Sequence, residues 1–119
     1  SAASDVYKRQ EVYRGSFAIS VCPSENVESP TIVGAQAANE LLNIIGIKAS
    51  FVLTEYNDKI YISSRSIDEI NVQIIMEKLG GGGHLNVAGA QLTGVTIVQA
   101  KRMIQDTLDE MLKEGDIEE

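Results

Sequence analysis

The chain of 119 residues has the length of one ordinary domain, and its 44% hydrophobic and 23% charged residues are typical of soluble globular proteins rather than disordered or fibrous ones. A formal net charge of -7 gives no general attraction for polyphosphate, which argues against a non-specific nucleic-acid coat protein. The only cysteine, Cys22, excludes an intrachain disulfide, and no apolar run approaches the ~20 residues that span a bilayer. We therefore expect a cytoplasmic domain in which Cys22 is a small apolar strand residue without chemistry.

We expect one domain with short flanks. Residues 1–15 begin without helical or strand periodicity and are interpreted as a linker or an added leader. The domain itself is assigned to residues 16–114, followed by an acidic tail at 115–119, in which Asp116 to Glu119 are expected to fray. Apolar residues alternate with small or polar ones between Ser16 and Cys22. This alternation predicts the first strand, because successive strand side chains point to opposite faces.

A helix is predicted after this strand. Residues 25–29 are polar and loop-like, and Ser29 followed by Pro30 is typical of a helix start, because proline at the first helical position loses no hydrogen bond. Gly46 can adopt the left-handed conformation that closes such a helix. The face expected to pack on a sheet is mostly small and apolar: Gly34, Ala37, Ala38, Leu41, Ile44 and Ile45.

Two further strands are predicted to form a tight hairpin. The stretches Ala49 to Glu55 and Lys59 to Ser66 are rich in β-branched and aromatic residues and are joined by an Asn-Asp turn. Because a strand alternates its faces, Arg65 is expected to share one face with Tyr61 and Ser63 and to project from a rigid strand end.

The remaining pattern predicts a helix capped by Asn71, a glycine run, a short strand from Val87 to Leu92, and a final helix. Thr96 and Gln99 form a capping-box pattern at the start of this last helix, and Gly115 marks its end. The apolar stripes of the two helices are Val72, Ile75, Met76 and Leu79, then Ile97, Ala100, Ile104, Leu108, Met111 and Leu112. The fold class is therefore predicted as α/β, with a mixed sheet that contains a tight hairpin and is covered by about three helices.

The sharpest chemical signal is the run Gly80, Gly81, Gly82 and Gly83 followed by His84. Adjacent glycines are costly to order, so some constraint must require them. A side-chain-free bend lets backbone N–H groups converge on an anion, and His84, the only histidine, could donate a hydrogen bond to a phosphate oxygen. A flexible hinge beside an ordinary surface histidine is the alternative. Neither the Walker pattern nor GxGxxG is present.

Arg65, flanked by Ser64 at a strand end, is a second candidate phosphate ligand, because a planar guanidinium grips two phosphate oxygens at once. Asn71 and Asn86 carry amides that could read a base or a ribose nearby. Each of these residues also has an ordinary alternative role: a solvated surface arginine, a helix cap or a turn residue.

The sequence does not predict a complete catalytic centre. One histidine and scattered acidic residues do not provide the converging ligands that a hydrolytic metal site needs. No nucleophile and base occur in a matching structural context either. We therefore expect neither catalytic residues nor metal ligands in this chain.

The segment from Ile62 to Leu92, with its stretches SSRS and NVQIIMEKLGGGGH, resembles the DHH-associated C-terminal domain. The likeness is greatest to that of GdpP-type cyclic di-AMP phosphodiesterases and extends from about Ser16 to about Leu112. The GGGH motif is shared with RecJ-like exonucleases and nano-RNases, so it identifies the domain better than the substrate. The resemblance implies the DHH-associated C-terminal fold. It also implies that phosphate is bound by Arg65, the glycine run and His84, with Asn71 and Asn86 as neighbours of the nucleotide.

The resemblance further implies a division of labour. A DHH domain of the same polypeptide would bind two manganese ions and activate water, while this domain would hold a cyclic dinucleotide or a short linear dinucleotide. The isolated chain would then be inactive and without a cofactor. It would be the cytoplasmic domain of a parent protein anchored in the membrane, and whether it forms a homodimer stays an open question. The alternatives are the same domain of an oligoribonuclease or phosphoadenosine phosphate phosphatase, and a non-catalytic nucleic-acid-binding module.

Overall fold

The computed structural model describes residues 2–23, 29–67 and 69–119 and contains a mixed sheet with helices on both faces. The helices are α1 (Ala2–Lys8), α2 (Pro30–Leu41), α3 (Val72–Lys78) and α4 (Ile97–Glu114). The strands are β1 (Glu11–Tyr13), β2 (Phe17–Cys22), β3 (Ala49–Tyr56), β4 (Lys59–Ser66), β5 (Gly82–Gly83) and β6 (Val87–Thr93). Their order is β1-β2-β3-β4-β6-β5, and only β2 and β3 run parallel among these neighbours. This confirms the predicted mixed α/β sheet.

The predicted hairpin is formed by β3 and β4. Its turn residues Asn57 and Asp58 adopt φ values of 52° and 62°. Two successive left-handed residues are what a two-residue turn needs to match the right-handed twist of the flanking strands. The register pairs Tyr56 with Lys59 beside the turn. Arg65 therefore lies at the opposite end of the hairpin.

Helix α2 begins as predicted but ends early. Ser29 caps it through a hydrogen bond accepted from the Ile32 N–H, with Pro30 at the start of the helix. The helix ends at Leu41 because tight turns then carry the chain towards β3. Ile45 lies on the outside of these turns and is fully exposed, so its predicted packing on the sheet is wrong. Of the predicted loop at 25–29, residues 25–28 lie outside the described residues.

The N-terminal residues form structure that the sequence pattern does not predict. Val6 of α1 is buried, and its carbonyl accepts a hydrogen bond from the Ser20 hydroxyl. Strand β1 pairs with β2, with Val12 opposite Ala18. A seven-residue helix and a three-residue strand are too short to show a clear period, and tertiary contacts stabilise them. The expectation that residues 1–10 lack regular structure is therefore wrong for the described part of that segment, while their origin as a linker or leader stays a prediction.

The C-terminal stretch is also ordered in part. Gly115 adopts a left-handed φ of 81°, and the Asp116 N–H donates to the Met111 carbonyl 2.9 Å away. This turn folds the chain back and buries Ile117, which is only 4% exposed. The expected fraying of residues 116–119 is therefore wrong at Ile117, because Gly115 directs this side chain onto the core.

The two faces of the sheet are covered unequally. The larger apolar core lies between the sheet and helices α3 and α4, while α1 and α2 cover β2 and β3 on the other face. Helix α2 also packs against β4, but none of the described helices covers β6 and β5 on this second face. In the described residues no helix combines the length and hydropathy needed to cross a membrane.

Candidate ligand-binding site

A cavity of about 580 Å³ opens on the α2 face of the sheet. Strands β4 and β6 form its floor, the first turns of α2 form one wall, and the glycine run with His84 forms the other. Cavities of this size are typical of small-molecule sites. The cavity exists because α2 stops short of the sheet edge at which β5 lies.

The floor of the cavity consists of cross-strand pairs. The residues that face the cavity are Arg65 opposite Val87, Ser63 opposite Gly89, and Tyr61 opposite Gln91. The middle pair is small, and a Cβ on Gly89 would lie only 2.8 Å from the Ile62 carbonyl oxygen. The floor is therefore a shallow trough with larger side chains at both ends.

Arg65 supplies positive charge at one end of the trough. Its Nη1 donates to the Ser64 carbonyl 2.8 Å away, which orients the guanidinium. Partial burial lowers the pKa of Arg65 below its usual value, but an arginine stays charged at neutral pH. None of the carboxylates in the described residues forms an ion pair with it. A partly desolvated cation without a counter-charge favours the binding of an anion.

The glycine run does not form the open nest of converging amides that the sequence suggests. The Gly80 N–H donates to the Glu77 carbonyl and the Gly81 N–H donates to the Met76 carbonyl, at 3.1 and 2.8 Å. These two hydrogen bonds are the Schellman motif that ends α3, with Gly80 left-handed at φ 84°. Half of the predicted nest is thus used to terminate a helix.

The second half of the run forms the edge strand β5. The His84 N–H donates to the Val87 carbonyl 2.7 Å away, and Gly83 pairs with Ala88. Hydrogen-bonded and non-hydrogen-bonded pairs alternate along an antiparallel ladder, so the Gly83 N–H points away from β6. This amide remains the best donor of the run for a ligand.

His84 is exposed and lines the same cavity as Arg65. Val87 lies between them, paired with Arg65 on β4 and hydrogen-bonded to His84. Adjacent strands are about 4.8 Å apart, so the two backbones are about 10 Å from each other. The guanidinium and the imidazole are thus on one side of the sheet, as the phosphate-site hypothesis requires.

Three other predicted site residues do not line the cavity. Ser64 is fully buried, and its hydroxyl donates to the Ser50 carbonyl. Asn71 accepts hydrogen bonds from the first N–H groups of α3, and Asn86 donates to the Ser66 hydroxyl. The cap and turn alternatives account for both amides, because each side chain is already engaged within the fold.

Tyr61, Ser63, Gln91 and Thr31 line the cavity without having been predicted as site residues. The signal that identifies the first two is strand alternation, because they share the face of Arg65. The place of Gln91 in the cavity follows only from the β4–β6 register, which pairs it with Tyr61. The place of Thr31 in the cavity depends on how α2 packs against the sheet.

The described residues do not fit a metal ion. Nowhere in this part of the chain do three histidine, cysteine, aspartate or glutamate side chains come together. Cys22 is buried, and desolvation raises the pKa of its thiol. Binding by hydrogen bonds and charge is the chemistry that the cavity offers.

These features define an α/β sheet domain with a ligand-sized cavity beside a glycine-rich edge strand. The profile of the DHHA1 domain matches residues 15–114, and the chain belongs to this family. The resemblance carried by the SSRS and GGGGH stretches is thereby confirmed.

The chain is 47% identical over 100 residues to cyclic-di-AMP phosphodiesterase PdeA of Listeria monocytogenes. The aligned region covers 83% of this chain and 15% of that protein. It is 38% identical over 106 residues to cyclic-di-AMP phosphodiesterase GdpP of Bacillus subtilis, covering 87% of this chain and 16% of that protein. The chain thus spans a small part of these relatives. An exopolyphosphatase-related protein from Bacteroides fragilis has the same fold, with a TM-score of 0.81 at 22% identity over 92% of this chain and 34% of that one.

Proposed function

We propose that this chain is the nucleotide-binding domain of a phosphodiesterase that hydrolyses cyclic di-AMP to the linear dinucleotide pApA. The observation that carries the proposal is that Arg65, His84 and three glycines of the run line one cavity of nucleotide size. Two relatives that are cyclic-di-AMP phosphodiesterases support the choice of substrate.

The role of the cavity is to hold and orient a phosphodiester. The Arg65 guanidinium donates to phosphate oxygens, the outward Gly83 N–H adds a neutral donor, and His84 closes the exposed end. With a net charge of -7, the protein attracts this anion only locally, where Arg65 forms no ion pair with a carboxylate of the described residues. Charge-assisted hydrogen bonds of this kind are among the strongest in proteins.

The hydrolytic step belongs to a DHH domain of the same polypeptide. Manganese bound there would supply activated water, since the described residues of this chain hold no set of metal ligands. The contribution of this chain is substrate position, which is essential when a nucleophile must attack one particular phosphorus. The parent protein would be anchored in the bacterial membrane, with this domain in the cytoplasm.

Replacement of Arg65 and of His84 tests this function. In a polypeptide that joins this domain to its DHH domain, we expect Arg65→Ala and His84→Ala each to lower kcat/KM for cyclic di-AMP by about tenfold or more, equivalent to ~1.4 kcal/mol per decade. Arg65→Lys should give an intermediate value, because it keeps the charge but loses the two-pronged hydrogen bond. Manganese-dependent release of pApA is the measurement.

Arg102→Ala is the matched control. Arg102 is exposed on α4 and forms an ion pair with Asp106, away from the cavity, so this variant should keep wild-type kinetics. Wild-type kinetics in both Arg65→Ala and His84→Ala would contradict the proposal. Faster turnover of linear diribonucleotides or phosphoadenosine phosphate than of cyclic di-AMP would favour the related oligoribonuclease or phosphatase function instead.

A further inference from the structure

We propose that the end of the cavity formed by Tyr61 and Gln91 is an adenine subsite, in which Gln91 distinguishes adenine from guanine. The inference rests on the proposed function and deepens it, because it names the residue that contacts the base. Its basis is the position, the free hydrogen-bonding groups and the chemistry of these two side chains.

Tyr61 and Gln91 form one structural unit. They lie directly opposite each other on β4 and β6, on the face that carries Arg65. Tyr61 is partly exposed and Gln91 is exposed. Within the described part of the chain, neither side chain has a hydrogen-bond partner. An aromatic ring and an amide are therefore both available to a ligand at this end of the trough.

The distance to Arg65 suits an extended ligand. Tyr61 and Arg65 are four positions apart along β4, which corresponds to about 13 Å at ~3.3 Å per residue. Only Ser63 and Gly89 occupy the floor between them, so a sugar can lie across the middle. A ligand whose phosphate contacts Arg65 reaches Tyr61 only if a further flat group extends along the trough, as the base of a nucleotide does.

The wall opposite α2 leaves room above Gln91. Gly80 and Gly81 line the cavity here and present backbone only. A side chain on Gly81 is also excluded by packing, since its Cβ would lie 2.0 Å from the Gly89 carbonyl oxygen. A planar base can therefore approach the Gln91 amide edge-on while it stacks on Tyr61, an arrangement that aromatic side chains commonly make with bases.

On the edge of the base that carries N7, the amide of Gln91 fits adenine and not guanine. Adenine presents the N6 amino donor beside the N7 acceptor, and a glutamine amide matches this pair with one acceptor and one donor. Guanine presents two acceptors, O6 and N7, so the amide oxygen would face an acceptor. The amides of Asn71 and Asn86 cannot do this work, because both are engaged within the fold.

Substrate preference tests the assignment in the polypeptide that joins this domain to its DHH domain. We expect Gln91→Ala to raise KM for cyclic di-AMP and to lower its kcat/KM about tenfold, while kcat/KM for cyclic di-GMP changes less than about twofold. Tyr61→Ala should raise KM for both substrates, because the ring on which the base stacks is lost. Gln105→Ala, on α4 and remote from the cavity, is the matched control.

A modified substrate isolates the predicted contact. A cyclic dinucleotide of 7-deazaadenine lacks the N7 acceptor, so the wild type should have about tenfold lower kcat/KM on it than on cyclic di-AMP. Gln91→Ala should have the same kcat/KM on the 7-deaza substrate as on cyclic di-AMP, because the contact to N7 is already lost. Equal kcat/KM of the wild type on cyclic di-AMP and on its 7-deaza analogue overturns the adenine subsite. An unchanged preference of Gln91→Ala for cyclic di-AMP over cyclic di-GMP also overturns the adenine subsite. If Arg65→Ala loses activity on both of these substrates in the same experiment, the proposed function survives that result. Absence of cyclic di-AMP hydrolysis in the wild type overturns the proposed function and the subsite together.

Discussion

The glycines between α3 and β6 lack side chains for different reasons. Gly80 ends a helix with a left-handed φ of 84°. Gly81 and Gly83 lie against β6, where a Cβ would be 2.0 Å from the Gly89 oxygen and 2.5 Å from the Val87 oxygen, respectively. At Gly82 neither a positive φ nor a close neighbour requires glycine. Helix termination and close backbone packing therefore explain why most of these positions are glycine. The backbone N–H of Gly83 is the group of the run that can contact a ligand directly.

Two neighbouring substitutions separate these constraints. Gly81→Ala should lower the free energy of unfolding by about 1–3 kcal/mol or more, because its Cβ would overlap backbone atoms that cannot move aside. Gly82→Ala should leave it unchanged or raise it by up to about 1 kcal/mol, because the unfolded chain loses freedom while the folded site has room. Urea unfolding of both variants beside the wild type measures this difference, and equal stability of the two would contradict the packing explanation.

At the scale of elements, α4 is the helix whose signals are most complete. The Thr96 hydroxyl accepts a hydrogen bond from the Gln99 N–H at 3.1 Å, and the Gln99 side chain accepts one from the Thr96 N–H at 2.9 Å. Its far end closes at Gly115, and its apolar stripe buries Leu108 and Met111. Local signals and packing thus agree over its whole length.

The capping box can be tested by one hydroxyl. Thr96→Ala should cost about 1 kcal/mol of unfolding free energy, because the Gln99 N–H loses its acceptor at the helix start. Thr96→Ser keeps the hydroxyl, so its loss of unfolding free energy should be no more than about half of that of Thr96→Ala. The comparison uses the midpoints of urea unfolding curves. If the alanine and serine variants were equally stable, the capping hydroxyl would contribute nothing.

Over the whole molecule, the beginning of the chain is held by its last helix. The Tyr13 hydroxyl and the Arg14 Nε each donate to the Asp109 carboxylate at 2.7 Å, across about 95 residues of sequence. Lys101 of α4 similarly pairs with Glu11. The hydrogen bonds from Tyr13 and Arg14 lower the pKa of Asp109 below its usual value. This cluster joins the edge strand β1 to the helical layer on the opposite side of the core.

The lowered pKa of Asp109 predicts a pH dependence of stability. A carboxyl group with a depressed pKa in the folded state stabilises the fold above its unfolded pKa of about 3.9 and loses this contribution as pH falls through the folded value. We expect Asp109→Asn to be less stable than the wild type at pH 7 by a small amount, since the pair is on the surface. The urea midpoints of the two proteins should converge as pH falls below about 4. A difference that stays constant from pH 7 to pH 2.5 would contradict this.

Much of the architecture followed from short patterns. The Asn-Asp turn, the Asn71 and Thr96 caps and the left-handed Gly115 at the end of α4 all depend on a few adjacent residues, and each is found where it was expected. Arg65 and the GGGGH stretch were also found from local features, namely strand alternation and composition. Arg65, His84 and three of these glycines line one cavity because β6 pairs with β4 on one side and β5 on the other.

What local patterns could not supply depends on residues far apart in sequence. Helix α1, strand β1 and the burial of Ile117 come from contacts with the finished sheet, which no short period reveals. The engagement of Asn86 with Ser66 and the pairing of Tyr61 with Gln91 likewise depend on how distant segments pack. Local propensity and alternation act within a few residues and therefore define the elements. Which side chains meet around a cavity depends on how those elements pack, and only the tertiary structure determines that.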